Sequence, residues 1–154
     1  MDIKIDSKEI ISISEFELSE RFLNSIITKD DLDEITPLSI NESKRLNKII
    51  DFYKTESYLI SNFNQTDWFT SNQESEQKIE KFREIVSQNL LDYEENLIIS
   101  WNRNIALKSS KTIFLKYWYI FLKPTTDNVT IISENTNWIL FFSHYGVSNL
   151  WCKK

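Results

Sequence analysis

Glycine is almost missing: Gly146 is the only one in 154 residues. Phosphate-cradling loops and dinucleotide fingerprints bring backbone against the ligand at dihedrals that side chains resist, so they need several glycines at fixed spacing. Nucleotide binding by either motif is excluded, and a strained G-x-S-x-G nucleophile elbow is likewise absent. Histidine and cysteine occur once each, as His144 and Cys152. Transition-metal sites need several nitrogen or sulfur ligands, so neither a metal centre nor another cofactor is expected. A single cysteine cannot close an internal disulfide. No positively charged stretch followed by an apolar region opens the chain, and the two observations together predict a cytoplasmic protein. The longest apolar run, Tyr117 to Leu122, falls far short of the roughly 18 residues of a membrane span, and no membrane role is expected.

What is abundant is apolar and aromatic. Hydrophobic residues make up 41% of the chain and aromatics 14%, enough to predict a single domain over 1–154 that buries roughly two-thirds of its unfolded surface. Twenty-two isoleucines, 18 serines and 14 asparagines against one alanine mirror AT-rich codons and suggest a bacterial gene.

The centre of the chain is the stretch from Ser110 onward. In Lys111–Leu122 the residues Ile113, Phe114, Tyr117, Trp118 and Phe121 follow the i, i+3, i+4 spacing of a helix, and Ile120 and Leu122 widen that face. Turning each residue by about 100° leaves a polar arc of only Thr112, Lys116, Tyr119 and Lys123, so the helix is predicted to be buried over most of its circumference. Pro124 ends it, and Thr125 to Asn128 supplies a turn. The β-branched run Val129–Ile132, then Trp138–Phe142, then a last run ending at Trp151 predict a β-meander. Before this centre, Ser14 with Glu17 opens a predicted helix over about 15–27. Ser39 with Glu42 opens another, carrying Ile40, Leu46, Ile49, Ile50 and Tyr53, and Ser71 with Glu74 a third, ending near Asn89. Ile3 and Ile5 fit a short edge strand or an arm, Pro37 marks a turn, residues 55–70 read as a long aromatic-bearing connection, and 97–101 as a strand. The fold class expected is α+β, with helices mainly in the N-terminal half and an antiparallel β-meander in the C-terminal half packed around a central helix.

Charge divides the chain. Residues 1–77 carry 16 acids and 8 bases, whereas 78–154 carry 7 acids and 10 bases. The acidity gathers at Asp30, Asp31, Asp33 and Glu34, and a second cluster, Asp92, Glu94 and Glu95, surrounds Tyr93. The first cluster lacks the glycine turn and the downstream glutamate of a calcium loop, so a solvated acidic loop is the expectation. Acidic surfaces repel phosphate and attract basic partners. A basic and aromatic set, Arg103, Lys108, Lys111, Lys116 and Lys123 near Trp101, Trp118 and Tyr119, resembles the composition of single-strand binding grooves, although Trp118 lies on the apolar arc. His144 titrates near neutrality and can serve as a general base with Asp127 or Glu134 as its carboxylate, though a lone histidine at a strand end is more often a surface or hydrogen-bonded residue. Cys152 is followed by lysines able to lower its pKa, with no base to activate it.

A small, acidic, cysteine-poor chain rich in Ile and Asn, with no catalytic motif, is similar in general character to the cytosolic immunity proteins of bacterial contact-dependent inhibition and polymorphic toxin systems. The resemblance implies a non-enzymatic inhibitor of a cognate toxin domain, often a basic nuclease, and transfers no residue role. On this reading Asp30, Asp31, Asp33, Glu34, Asp92, Tyr93, Glu94 and Glu95 are the partner-binding candidates. A nucleic-acid-binding module using the basic and aromatic C-terminal residues is the second reading, and a small hydrolase centred on His144 the third.

Overall fold

The computed structural model describes residues 2–154. Two short 3-10 turns, Ser7–Glu9 and Ile13–Glu15, precede α1 (Ser19–Leu23), α2 (Lys29–Leu32) and β1 (Ile35–Pro37). There follow α3 (Ile40–Tyr53), α4 (Glu56–Asn62), β2 (Phe63–Gln65), β3 (Phe69–Thr70) and α5 (Glu76–Asn89). The remainder is β4 (Leu97–Asn102), β5 (Ile105–Ser109), α6 (Lys111–Phe121), β6 (Val129–Ser133), β7 (Trp138–Ser143) and β8 (Val147–Lys153). The architecture is α+β, with one antiparallel sheet in the order β1-β5-β4-β6-β7-β8-β2 and β3 also pairing with β8.

Alternation along the strands gives the sheet two apolar faces. Leu97, Ile99, Leu107, Ile131, Leu140 and Leu150 face α6, α5 and α1, while Ile98, Ala106, Ile132 and Ile139 face α3 and α4. The central helix therefore lies on one side of the meander, and α3 on the other. On α6, Phe114, Trp118 and Phe121 are fully buried, and Thr112 and Lys116 of the predicted polar arc are exposed. Trp118 stacks on Phe82 of α5 with ring centroids 3.9 Å apart and donates its indole N–H to Ile79 O at 3.1 Å. Phe22 of α1 meets Phe121 edge-on at 5.0 Å. α6 leaves helical geometry at Tyr117 (φ −120°, ψ 20°). A kink leaves carbonyls of the preceding turn short of their i+4 partners, and here Arg83 supplies donors to Leu115 O (2.8 Å) and Lys116 O (3.1 Å).

Several sequence expectations are corrected. The helix expected over 15–27 is only α1, because the capping box forms two residues early: Ser12 and Glu15 cap a 3-10 turn, and Phe16 turns into the core. The third helix starts at Glu76, capped by Ser75, because Asn72 Oδ1 takes the N–H of Glu74 at 2.6 Å and holds that segment as a turn. Pro37 is not a turn but ends an edge strand, where its missing N–H leaves no partner unpaired. Residues 55–70 hold one helix and two short strands, so two periodicities run together. β5, unread in the sequence, pairs with β4 across a turn in which Asn102 Oδ1 accepts from Asn104 N–H at 2.8 Å.

Trp118 carries the contact between α6 and α5. Trp118→Ala is expected to cost about 3–5 kcal/mol of stability, and Thr112→Ala less than about 0.5 kcal/mol, both read by urea denaturation. Similar losses at the two positions would show that α6 is not the buried helix.

Candidate functional site

The first acidic cluster is not all loop: Asp30 and Asp31 lie in the helix α2, whose first turn is capped by Thr28 Oγ1 accepting from Asp31 N–H at 3.2 Å, and Asp33 and Glu34 follow in the turn after it. Its carboxylates differ in fate. Asp31 is drawn inward, accepting from the Tyr117 hydroxyl and, at 3.1 Å, from Lys116 Nζ. These two donors, Tyr117 foremost, hold its pKa below the ordinary aspartate value. Asp30, Asp33 and Glu34 remain exposed and make no ion pair. Glu15, Glu17 and Glu20 are also exposed and without a cation. The same segment of chain also exposes apolar side chains: Ile10 is 45% exposed, Leu23 47% and Ile26 72%. A groove of about 480 Å³ between the N-terminal segment and α2–β1 is lined by Ile10, Ile11, Ile13, Leu32 and Pro37, together with Asp33 and Lys29. The segment from Glu9 to Pro37 thus holds a mainly apolar groove, exposed apolar side chains and several unpaired carboxylates.

The second cluster is partly engaged within the chain. Lys111 Nζ donates to the carbonyls of Leu90 (2.9 Å) and Tyr93 and pairs with Glu94 at 3.5 Å. Glu95 accepts from Asn137 at 3.4 Å, and the half-buried Tyr93 hydroxyl is pushed up, first by burial and then by nearby negative groups. Only Asp92 stands free. The two clusters are tied to α6 separately, one at Lys116–Tyr117 and one at Lys111.

The basic and aromatic set is largely spent on the fold. Lys108 pairs with Glu134 at 3.2 Å, Lys111 and Lys116 are engaged as above, and Lys123 donates to Tyr119 O at 3.3 Å. Burial, followed by the Arg21 charge, lowers the Lys123 pKa. Trp118 is fully buried, and Arg103 alone of the five cations has no partner.

His144 has neither carboxylate suggested by the sequence. Asn128 Oδ1 accepts from its backbone N–H at 2.9 Å and from Nδ1–H at 2.8 Å, leaving Nε2 free. Glu134 is paired with Lys108. Asp127 binds Arg21 through both oxygens, at 2.6 and 3.1 Å, and accepts from Lys123 N–H at 2.9 Å, so that it joins α1 to the end of α6. Burial pushes the Asp127 carboxyl up, but Arg21 and these hydrogen bonds outweigh it and hold it below its ordinary value. A groove of about 340 Å³ does bring His144 near one carboxylate, Glu74, which is exposed and paired with Lys78 at 3.1 Å; no serine or cysteine lines it. Cys152 lies half-buried in β8, and burial raises rather than lowers its pKa, against the lysine effect expected from sequence. Among the described residues no group of three or more His, Cys, Asp or Glu can hold a metal ion, and no helix is long and apolar enough to cross a membrane.

No family model, no curated protein and no solved structure matches this chain.

The Arg21–Asp127 pair sets an acid limit on stability. Because the folded Asp127 pKa is depressed, its contribution is complete above the ordinary value of 3.8 and is lost as pH falls through the folded value. Asp127→Asn is expected to lose about 1–3 kcal/mol at neutral pH, and the gap to the wild type to narrow as urea denaturation is repeated in increasingly acid buffer. A gap independent of pH would rule out the carboxylate as its source.

Proposed function

We propose that the protein is a non-enzymatic, cytoplasmic inhibitor that binds a basic toxin domain and blocks it by covering its active site, as immunity proteins do. The observation that carries this reading is that residues 9–37 combine unpaired carboxylates with exposed apolar side chains and a mainly apolar groove. Its unpaired carboxylates, Asp30, Asp33 and Glu34 with Glu15, Glu17 and Glu20, share that segment with the exposed Ile10, Leu23 and Ile26. Interfaces of this composition divide their labour. Complementary charge at the rim accelerates encounter, and apolar anchors near the centre slow release. The second cluster contributes little, since Glu94 and Glu95 are already engaged within the chain. Asp31 has a structural part, holding α2 against α6.

The test is affinity capture from the native cells at low and moderate salt, with nuclease added, using the tagged wild type beside an Asp30→Lys/Asp33→Lys/Glu34→Lys variant. The expected result is one basic protein recovered in near-equal amount with the wild type, and its yield with the variant reduced about tenfold or more. Equal recovery by both baits, or recovery only of proteins that nuclease releases, would sink the reading.

A further inference from the structure

The opposite side of the sheet carries a surface of the other sign. Lys44, Asn47 and Lys48 of α3 and Arg103 of the β4–β5 turn line a groove of about 360 Å³, and no acidic side chain lines it. None of its three cations makes a salt bridge or hydrogen bond, although eight ion pairs form elsewhere among the described residues. Lysines four apart on a helix repel one another, and Arg103 adds a third like charge from a separate element. In a chain of net charge −5, carboxylates are plentiful, yet none is placed here. The same stripe of α3 continues at four-residue spacing to Ile40 on one side and Phe52 on the other, which are 56% and 59% exposed. The uncovered face thus reads apolar, basic, basic, apolar.

We propose that this groove is a docking surface for an extended acidic segment of a protein partner, with carboxylates at alternate positions and apolar residues flanking them. Lys44 and Lys48 are about 6 Å apart along the helix axis. Side chains on one face of an extended chain recur every about 6.8 Å, so successive carboxylates on that face meet successive lysines while Arg103 closes from the other wall. A long polyanion such as nucleic acid is the poorer occupant. It gains nothing from Ile40 and Phe52, and beyond the short groove it meets the negative field of the protein as a whole. The groove shares no residue with the acidic surface that carries the proposed function, so either assignment can fail without the other.

The probe is a fluorescein-labelled peptide alternating glutamate and valine, titrated with the full chain by fluorescence anisotropy at low salt. A peptide with glutamine in place of glutamate and a single-stranded oligothymidine are titrated alongside. Saturable binding of the glutamate peptide is expected, weakened about tenfold in Lys44→Gln/Lys48→Gln/Arg103→Gln, retained in Lys81→Gln and absent for the glutamine peptide. All three groove cations are exposed, so the triple variant keeps its fold, which circular dichroism checks. Absence of saturable binding, or equal binding by the triple variant, overturns the proposal. So does tighter binding of oligothymidine that the same substitutions remove, which assigns the groove to nucleic acid. Concentration-dependent self-association in sedimentation, abolished by the same substitutions, assigns it to a second copy of the chain and overturns it equally.

Discussion

Trp118 cannot be left in water at acceptable cost, and burying it dictates most of what surrounds it. Its indole needs a ring beside it, supplied by Phe82, and an acceptor for its N–H, supplied by Ile79 O. That brings α5 against α6. The other flank of the helix needs Phe22, which brings α1. Once α6 lies on the sheet in this way, the polar groups at its margins are desolvated in part and must find partners. They do so over long sequence separations: Lys111 with the carbonyls after α5, Tyr117 and Lys116 with Asp31, and the end of the helix with Asp127 and Arg21.

This requirement sorts the charges of the chain. Part of the charge is consumed by the fold, as at Asp31, Lys111 and Asp127, and part is left over on the surface, even beside α6 on α1 and α2. The remainder is not random in sign. Residues 9–37 carry exposed acids together with uncovered isoleucine and leucine, and the groove beside α3 carries three unpaired cations, two of them between uncovered Ile40 and Phe52 along the helix. Each surface sets unpaired charges on the same segment or helix as exposed apolar side chains. No comparable convergence of nucleophile, base and orienting group is found among the described residues. His144 is oriented by an amide, and the groove it borders offers no serine or cysteine.

The elements whose apolar periodicity is long and unbroken were legible in the sequence. α6, α3 with its Ser39 cap on Glu42, and the strands of the meander stand where their patterns place them. Short elements were not. α1 and β1 exist because the sheet and α6 accept Phe22 and Ile35, a tertiary fact with no local signature in five or three residues. The candidate site was legible only halfway. Composition singled out the acids of residues 30–34, but Asp31 and Asp33 differ by the presence of Tyr117 and Lys116, more than eighty residues away in the chain. The basic groove was missed because Lys44 and Lys48 look like an ordinary solvated helix face until Arg103 is brought beside them. Its one sequence signal was the four-residue spacing from Ile40 through Lys44 and Lys48 to Phe52.

The claim at the centre of this account is that charges left unpaired by the fold, and not those gathered closest in sequence, mark where a partner binds. Hydrogen-exchange mass spectrometry of the protein alone and mixed with the basic protein that the proposed capture is expected to recover tests it most directly. The account requires new protection in segments spanning residues 9–37, with the segment containing Asp92 to Glu95 unchanged. Protection confined to residues 92–95, or to the His144 groove, would contradict it.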